Sequence, residues 1–307
     1  MAAVILDGRA LADELRTDLR ARTVALRGRG CHTRLVVVIV GEDAASVAYM
    51  RSLVKSGAGV GVEVAVRALP ADASEDSVRR HLCALGEDDA VHGVILQQPL
   101  PPHLAIRRIA DAMPAHKDVD GANPFNQGRL AFGSGTDFVP ATPAAVMLLL
   151  ERSPHRTLPG VRACIVGRSN VVGLPVALLM MAQDATVTST HQLTRDLAHH
   201  TRDAEVLVVA TGVPGLIRAD MVLPGATVID VGTTFVDGKL VGDVAYAEVA
   251  AVAGAITPVP GGVGPVTNIA LMRNVVGAAE HLCAASNERR DARKRAAAHA
   301  DYSKQQM

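Results

Sequence analysis

Val166-Gly167-Arg168-Ser169-Asn170-Val171-Val172-Gly173-Leu174-Pro175 joins an apolar run to an apolar helix, and its reading decides the fold. Ala163–Val166 reads as a buried strand, and a helix opens near Gly173. Such a turn places backbone N–H groups at a helix N-terminus, where they can cradle a pyrophosphate. The spacing departs from G-x-G-x-x-G, because Ser169 takes the second glycine's place and Gly173 comes one residue late. A plain tight turn would also account for it. The downstream sequence favours the dinucleotide reading. Further strands are predicted at Thr186–Thr190, Val206–Ala210 and Thr227–Val231, with Gly212 and Gly232 just beyond the last two. Ligands bind at the carboxyl ends of such strands.

The first half alternates in the same way. Helices are predicted over residues 10–29, 45–58 and 74–85, and strands over 35–40, 62–66 and 91–96. This predicts an α/β fold of two lobes with parallel sheets and a cleft between them. The C-terminal lobe is a Rossmann-type dinucleotide-binding domain. The expected division is 1–143 for a substrate and catalytic domain and 144–269 for the cofactor domain. A helix over about 270–290 rejoins the first domain, and 287–307 forms a polar basic tail, as a helical extension or a solvated segment.

Composition agrees. Of 307 residues, 49% are hydrophobic but only 2% aromatic, with no Trp. The core is therefore Ala, Val, Leu and Ile, as parallel sheets require. Lys+Arg and Asp+Glu are both 31, which argues against nucleic acid as a partner. No apolar run reaches membrane-spanning length, and residues 1–9 lack a signal peptide's pattern. A cytoplasmic location is expected. Cys31, Cys83, Cys164 and Cys283 form no C-x-x-C motif and are expected to be reduced core thiols, with no metal site.

Cofactor choice turns on the end of the second cofactor-domain strand. An NAD site usually has an acid there for the ribose hydroxyls. Here the chain reads His191-Gln192-Leu193-Thr194, with Arg168 and Arg195 nearby. This leans towards NADP, with NAD as the alternative. The loop Thr257-Pro258-Val259-Pro260-Gly261-Gly262-Val263-Gly264-Pro265-Val266-Thr267 is rigid and brings backbone close to a ligand. In the first half Tyr49, Gln97 and Asp120 stand out. Tyr49 and Leu53 share a helix face, Gln97 ends a buried strand, and Asp120 can accept two hydrogen bonds from an amidine-like heterocycle.

Taken together the chain resembles the methylenetetrahydrofolate dehydrogenase/methenyltetrahydrofolate cyclohydrolase family. The motifs are Gly41-Glu42-Asp43-Ala44-Ala45-Ser46 with Tyr49, Leu96–Pro101, Lys117–Gly121, Gly167-Arg168-Ser169 with Gly173 and Pro175, Val241–Val244 and Pro258–Pro265. The resemblance implies oxidation of 5,10-methylenetetrahydrofolate with NADP, followed by hydrolysis to 10-formyltetrahydrofolate. It implies that Tyr49 stacks on the folate, Asp120 bonds the pterin edge, Gln97 orients the reacting centre, and Pro260 and Gly261 wall the site. It assigns Gly167, Arg168, Ser169, Gln192, Gly212, Thr233 and Thr267 to the cofactor, and it implies a homodimer.

One departure is central. The family's helix reads Ser-x-x-Tyr-x-x-x-Lys, and here the lysine position is Leu53. Lys55 lies about 200° further round the helix and cannot replace it. Hydride transfer is largely positioning, whereas hydrolysis needs an activated water. The expectation is a dehydrogenase whose cyclohydrolase step is lost or weak. The alternatives are a fully bifunctional enzyme and a non-catalytic folate- or nucleotide-binding paralogue. Leu174 and Gln192-Leu193 stand where the family often has basic residues, which weighs against the NADP lean.

Overall fold

The computed structural model describes residues 2–41, 44–133 and 138–305, with side chains described except at 44–48 and 286–305. Ser46 and the basic residues of the C-terminal end therefore lie outside the described side chains.

The chain begins with β1 (Val4–Ile5), α1 (Gly8–Gly28), β2 (Arg34–Val40), α2 (Ala44–Val60), β3 (Glu63–Leu69), α3 (Glu75–Glu87) and β4 (Gly93–Leu96). Short helices α4 (Ile106–Ile109) and α5 (Pro124–Ala131) lead to α6 (Ala141–Leu150). The second series is β5 (Arg162–Val166), α7 (Gly173–Met181), β6 (Thr186–Thr190), α8 (Leu197–Thr201), β7 (Val206–Val209) and β8 (Thr227–Asp230). It closes with β9 (Thr234–Val236), β10 (Lys239–Val241), α9 (Tyr246–Val249), β11 (Ala255–Ile256) and α10 (Val263–Gln305).

Caps fix several ends. Asp7 accepts from the N–H groups of Arg9 and Ala10 at the start of α1, and Ser74 accepts from Ser77 at α3. β2, β3 and β4 form a parallel sheet in the order β3-β2-β4. The second sheet has the order β1-β11-β8-β7-β5-β6 and is parallel throughout. The order reverses between β5 and β7, the switch point where such sheets bind ligands.

Strand periodicity explains why β2 is apolar on both sides. Leu35, Val37 and Ile39 enter a core with α1, α2, α6 and α10, while Val36, Val38 and Val40 enter another under α3. β5 divides likewise: Ala163 and Ile165 join the first core, Cys164 and Val166 a third. One core thus runs through both lobes, carried by α1, α6 and α10.

Three expectations change. β1 pairs with β11, so the first strand belongs to the cofactor sheet rather than to the 1–143 domain. The last helix starts at Val263, inside the expected 144–269 domain, and runs to Gln305. Cys31 and Cys283 are not separate thiols: they are joined as a disulfide, with Cα atoms 6.3 Å apart and 252 residues between them in sequence. Cys83 and Cys164 are free. Among the described residues no helix is long and apolar enough to cross a membrane.

Candidate active site

The cofactor side is set by backbone. β5 ends at Val166, and Gly167 takes φ +107, with its N–H donating to Thr190 O at 3.0 Å. A Cβ on Gly167 would lie 2.1 Å from Ala210 O, and one on Gly173 would lie 1.8 Å from Gly167 O. Both glycines are therefore demanded by the close approach of the turn, β7 and α7. Ser169 steadies the turn: its Oγ accepts from Val172 N–H at 3.2 Å and its carbonyl from Leu174 N–H at 3.0 Å. Arg168 and Ser169 are exposed, as are Gln192 and Arg195 beyond the parallel neighbour β6. No carboxylate stands at the end of β6, where His191 Nδ1 accepts from Leu193 N–H. A turn this tight at a helix N-terminus, flanked by arginine, fits a dinucleotide.

Two carboxylates missed at the sequence level hold the neighbouring loops. Asp243 Oδ2 accepts from the N–H groups of Thr211 and Gly212 and from Thr211 Oγ1, at 2.6–2.9 Å. Asp230, ending β8, accepts from the N–H groups of Gly232, Asp243 and Val244 at 2.9–3.0 Å. Burial nevertheless pushes Asp230 up to about 6. The signal lay in Val241-Gly242-Asp243-Val244, a motif to which the sequence attached no role. These acids position Gly212 and the β8 loop beside the cofactor turn.

The opposite wall is made of side chains. A cleft cavity of about 560 Å³ lies between the lobes. Tyr49, Ser52 and Ser56 line it from α2, Thr233 from the β8 loop, and Thr267 and Asn268 from α10. Asn268 Nδ2 donates to Ser52 Oγ at 2.7 Å, tying α10 to α2 across the base. Arg16 and Thr142 also line it and had no signal in the sequence, since both come from unremarkable helical stretches. A smaller cavity of about 140 Å³ adjoins, walled by Pro260, Gly261, Thr233 and Arg9.

Tyr49 is half-buried. Its phenol is pushed well above the usual tyrosine range, first by burial and then by the charge of Asp120. Asp120 follows Asp118, whose carboxylate is fully used: it accepts from the N–H groups of Ala122 and Asn123 and from Asn126 Nδ2. Burial, reinforced by Asp118, raises Asp120 to about 7, opposed by the Ala141 N–H at the start of α6. A carboxyl poised near neutrality is suited to proton transfer. Gln97 directly follows β4 and its amide donates to Gln98 O; it stands outside the walls of both cavities.

Leu53 is fully buried in the shared core and is not part of the cleft wall. Tyr49, Ser52 and Ser56 are the α2 positions that face the cavity. Lys55 is exposed. Lys117 is buried elsewhere, its Nζ donating to Asp88 O at 2.7 Å and Leu85 O at 3.4 Å. None of Lys55, Lys117 and Lys239 lines either cavity.

The fold and cleft define a two-lobed α/β protein with a dinucleotide turn facing a side-chain-lined substrate wall. Comparison with known proteins narrows this class. Residues 6–120 match the catalytic domain of tetrahydrofolate dehydrogenase/cyclohydrolase, and residues 140–283 match its NAD(P)-binding domain. The chain is 50% identical over 281 residues to the bifunctional protein FolD of Roseiflexus castenholzii, covering 91% of this chain and 97% of that one. The FolD methylenetetrahydrofolate dehydrogenase/cyclohydrolase of Campylobacter jejuni superposes with a TM-score of 0.88 at 39% identity, over 91% of this chain and 99% of that one. The Trypanosoma brucei enzyme, solved with NADP and an inhibitor, gives 0.87 at 36%, over 92% and 98%. This protein belongs to the tetrahydrofolate dehydrogenase/cyclohydrolase family.

Proposed function

We propose that this protein oxidises 5,10-methylenetetrahydrofolate to 5,10-methenyltetrahydrofolate with NADP, and that its cyclohydrolase step is lost or weak. The observation that carries the second part is Leu53: fully buried and apolar at the position where the family's motif has lysine. NADP, when bound, supplies the hydride acceptor. Gly167, Arg168 and Ser169 would meet its phosphates, with Gly212, Thr233 and Thr267 along its length and Gln192 near the ribose. The preference for NADP rests on the missing acid after β6 and on Arg168 and Arg195 nearby. On the folate side Tyr49 would stack on the ring system, Asp120 would bond the pterin edge, and Gln97 would orient the reacting carbon. Pro260 and Gly261 would close the wall.

This division is physical. Holding a donor carbon against a nicotinamide needs shape and orientation, which this cleft retains. Hydrolysis needs a group that activates water, and leucine has none. General acid–base assistance is worth about 10²–10⁴-fold. The test follows the methenyl chromophore after adding methylenetetrahydrofolate and NADP. The expected result is appearance of the chromophore and its persistence near the solution decay rate. Rapid enzyme-dependent decay overturns the hydrolytic part, and no chromophore with either cofactor overturns the dehydrogenase.

A second reading keeps both activities, as the name of the Roseiflexus relative suggests. Asp120, raised to about 7, is the group that would activate water in that case. Loss of chromophore decay in Asp120→Asn, with oxidation retained, would favour it. A homodimer is carried with either reading, and sedimentation of the full chain tests it.

A further inference from the structure

Far from the cleft, Cys31 after α1, Cys283 on α10 and His92 before β4 converge. Cys31 and His92 are buried, and Cys283 is half-buried. The imidazole Nε2 lies 3.5 Å from each sulfur. These are ligand types of a zinc site, but the ring's other nitrogen argues otherwise. The backbone N–H of Arg34 donates to His92 Nδ1 at 3.2 Å. An amide N–H only donates, so Nδ1 presents its lone pair and the neutral ring's proton sits on Nε2. Burial, then Lys117, lowers the ring's pKa and keeps it neutral, with Asp88 opposing. A metal ligand needs the reverse, a free Nε2 lone pair with Nδ1–H donating outward. Here an N–H donor is aimed at both sulfurs, which favours a thiolate.

The site is open to small molecules through a depression of about 440 Å³ that reaches Cys283. Arg29, His32 and Arg34 border it, with Glu63 and Asp89. Arg29 and Arg34 are matched there by Asp89 and Glu63, the latter paired with Arg34 at 3.2 Å, so the group that favours a thiolate is the His92 N–H. On α10 Glu280 is taken by Arg22 at 2.7 Å, and His281 is exposed. Among the described residues, neither of the other cysteines belongs to such a cluster. Cys164 is buried and pushed up to about 11, chiefly by that burial.

We propose that Cys31, Cys283 and His92 form a reversible thiol–disulfide exchange site, whose oxidant is a low-molecular-weight disulfide of the glutathione class. The Cys283 thiolate, held by the Nε2–H of His92, attacks one sulfur of the external disulfide and releases one thiol. The Cys31 thiolate then attacks Cys283 in the mixed disulfide and releases the second. Two electrons pass from the protein thiols to the external disulfide, and their two protons leave with the released thiols.

The test uses the reduced full-length protein. Treatment with oxidised glutathione is expected to remove two of the four thiols counted after denaturation. Peptide mapping should then link residues 31 and 283, and dithiothreitol should reverse the link. Cys31→Ser should stop at a glutathione adduct on Cys283. In the unmodified reduced protein the pH midpoint of Cys283 alkylation should lie below that of an ordinary thiol, about 8.5. His92→Phe should raise it. Four thiols remaining after oxidation, or a Cys283 midpoint at or above the ordinary value, would overturn the proposal. So would one equivalent of zinc kept by the reduced protein and lost in Cys31→Ser, which would mark a metal site instead.

Discussion

The two walls of the cleft are built by different means. The cofactor wall is backbone: Gly167 and Gly173 let strand and helix meet, and Asp230 and Asp243 grip loop N–H groups. The substrate wall is side chains brought from α1, α2, α6 and α10. A backbone site survives drift in its side chains, which is why Ser169, Leu174 and Gln192 leave the turn intact. A side-chain site depends on each residue that lines it.

Replacing Leu53 with lysine tests that contrast most severely. If the amine reaches the cleft, methenyl hydrolysis should rise about 10²–10⁴-fold. The melting temperature should fall, because a charge enters a fully buried position. Unchanged hydrolysis in a folded variant would mean that the substrate wall does not depend on this residue. Next in size is Gly173→Ala. Its Cβ would sit 1.8 Å from Gly167 O, backbone that cannot step aside. A loss of about 3 kcal/mol in urea unfolding and weakened NADP binding are expected. Wild-type behaviour would show that the cofactor wall is softer than its geometry.

Asp243→Ala should cost less, about 2 kcal/mol, by leaving the N–H groups of Thr211 and Gly212 without their acceptor. NADP affinity should fall with it, while folate binding measured alone stays. The smallest effect is a pH slope. Asp120 titrates near 7 in the folded protein, above an unfolded carboxyl at about 4. Its proton is held more tightly when folded. The stability it contributes is complete below about pH 4 and is lost as pH rises through 7. Asp120→Asn never ionises, so its melting temperature should gain on wild type by roughly 2–4 °C between pH 5 and 8. A constant difference across that range would remove Asp120 as a titrating group.

Much of the architecture was legible because its signals are local. Leu35–Val40 and Ala163–Val166 read as buried strands from continuous apolar runs, and α3 matches the helix predicted over 74–85 to within two residues. The β9–β10 hairpin carries a local signal too, since Asp237-Gly238 between short apolar runs favours a tight hairpin turn. β1 was not legible. Val4–Ile5 is only two residues long and gains meaning from β11, far away in sequence. The site divides the same way. Gly167, Gly173 and the Pro258–Pro265 loop declare themselves by backbone chemistry. Arg16 and Asn268 look like ordinary helical residues until the helices pack.

The sequence by itself determined the alternating α/β order, the dinucleotide turn, the family and the absence of lysine at position 53. All of these stem from periodicity, glycine and proline placement and residue identity, expressed within short segments. Tertiary structure decided that α2 turns Tyr49, Ser52 and Ser56 to the cleft while Leu53 enters the core. It also decided that one core serves both lobes, and that Cys31 meets Cys283 beside the Nε2–H of His92. Those outcomes depend on how distant faces pack and on which nitrogen of a ring a remote amide engages.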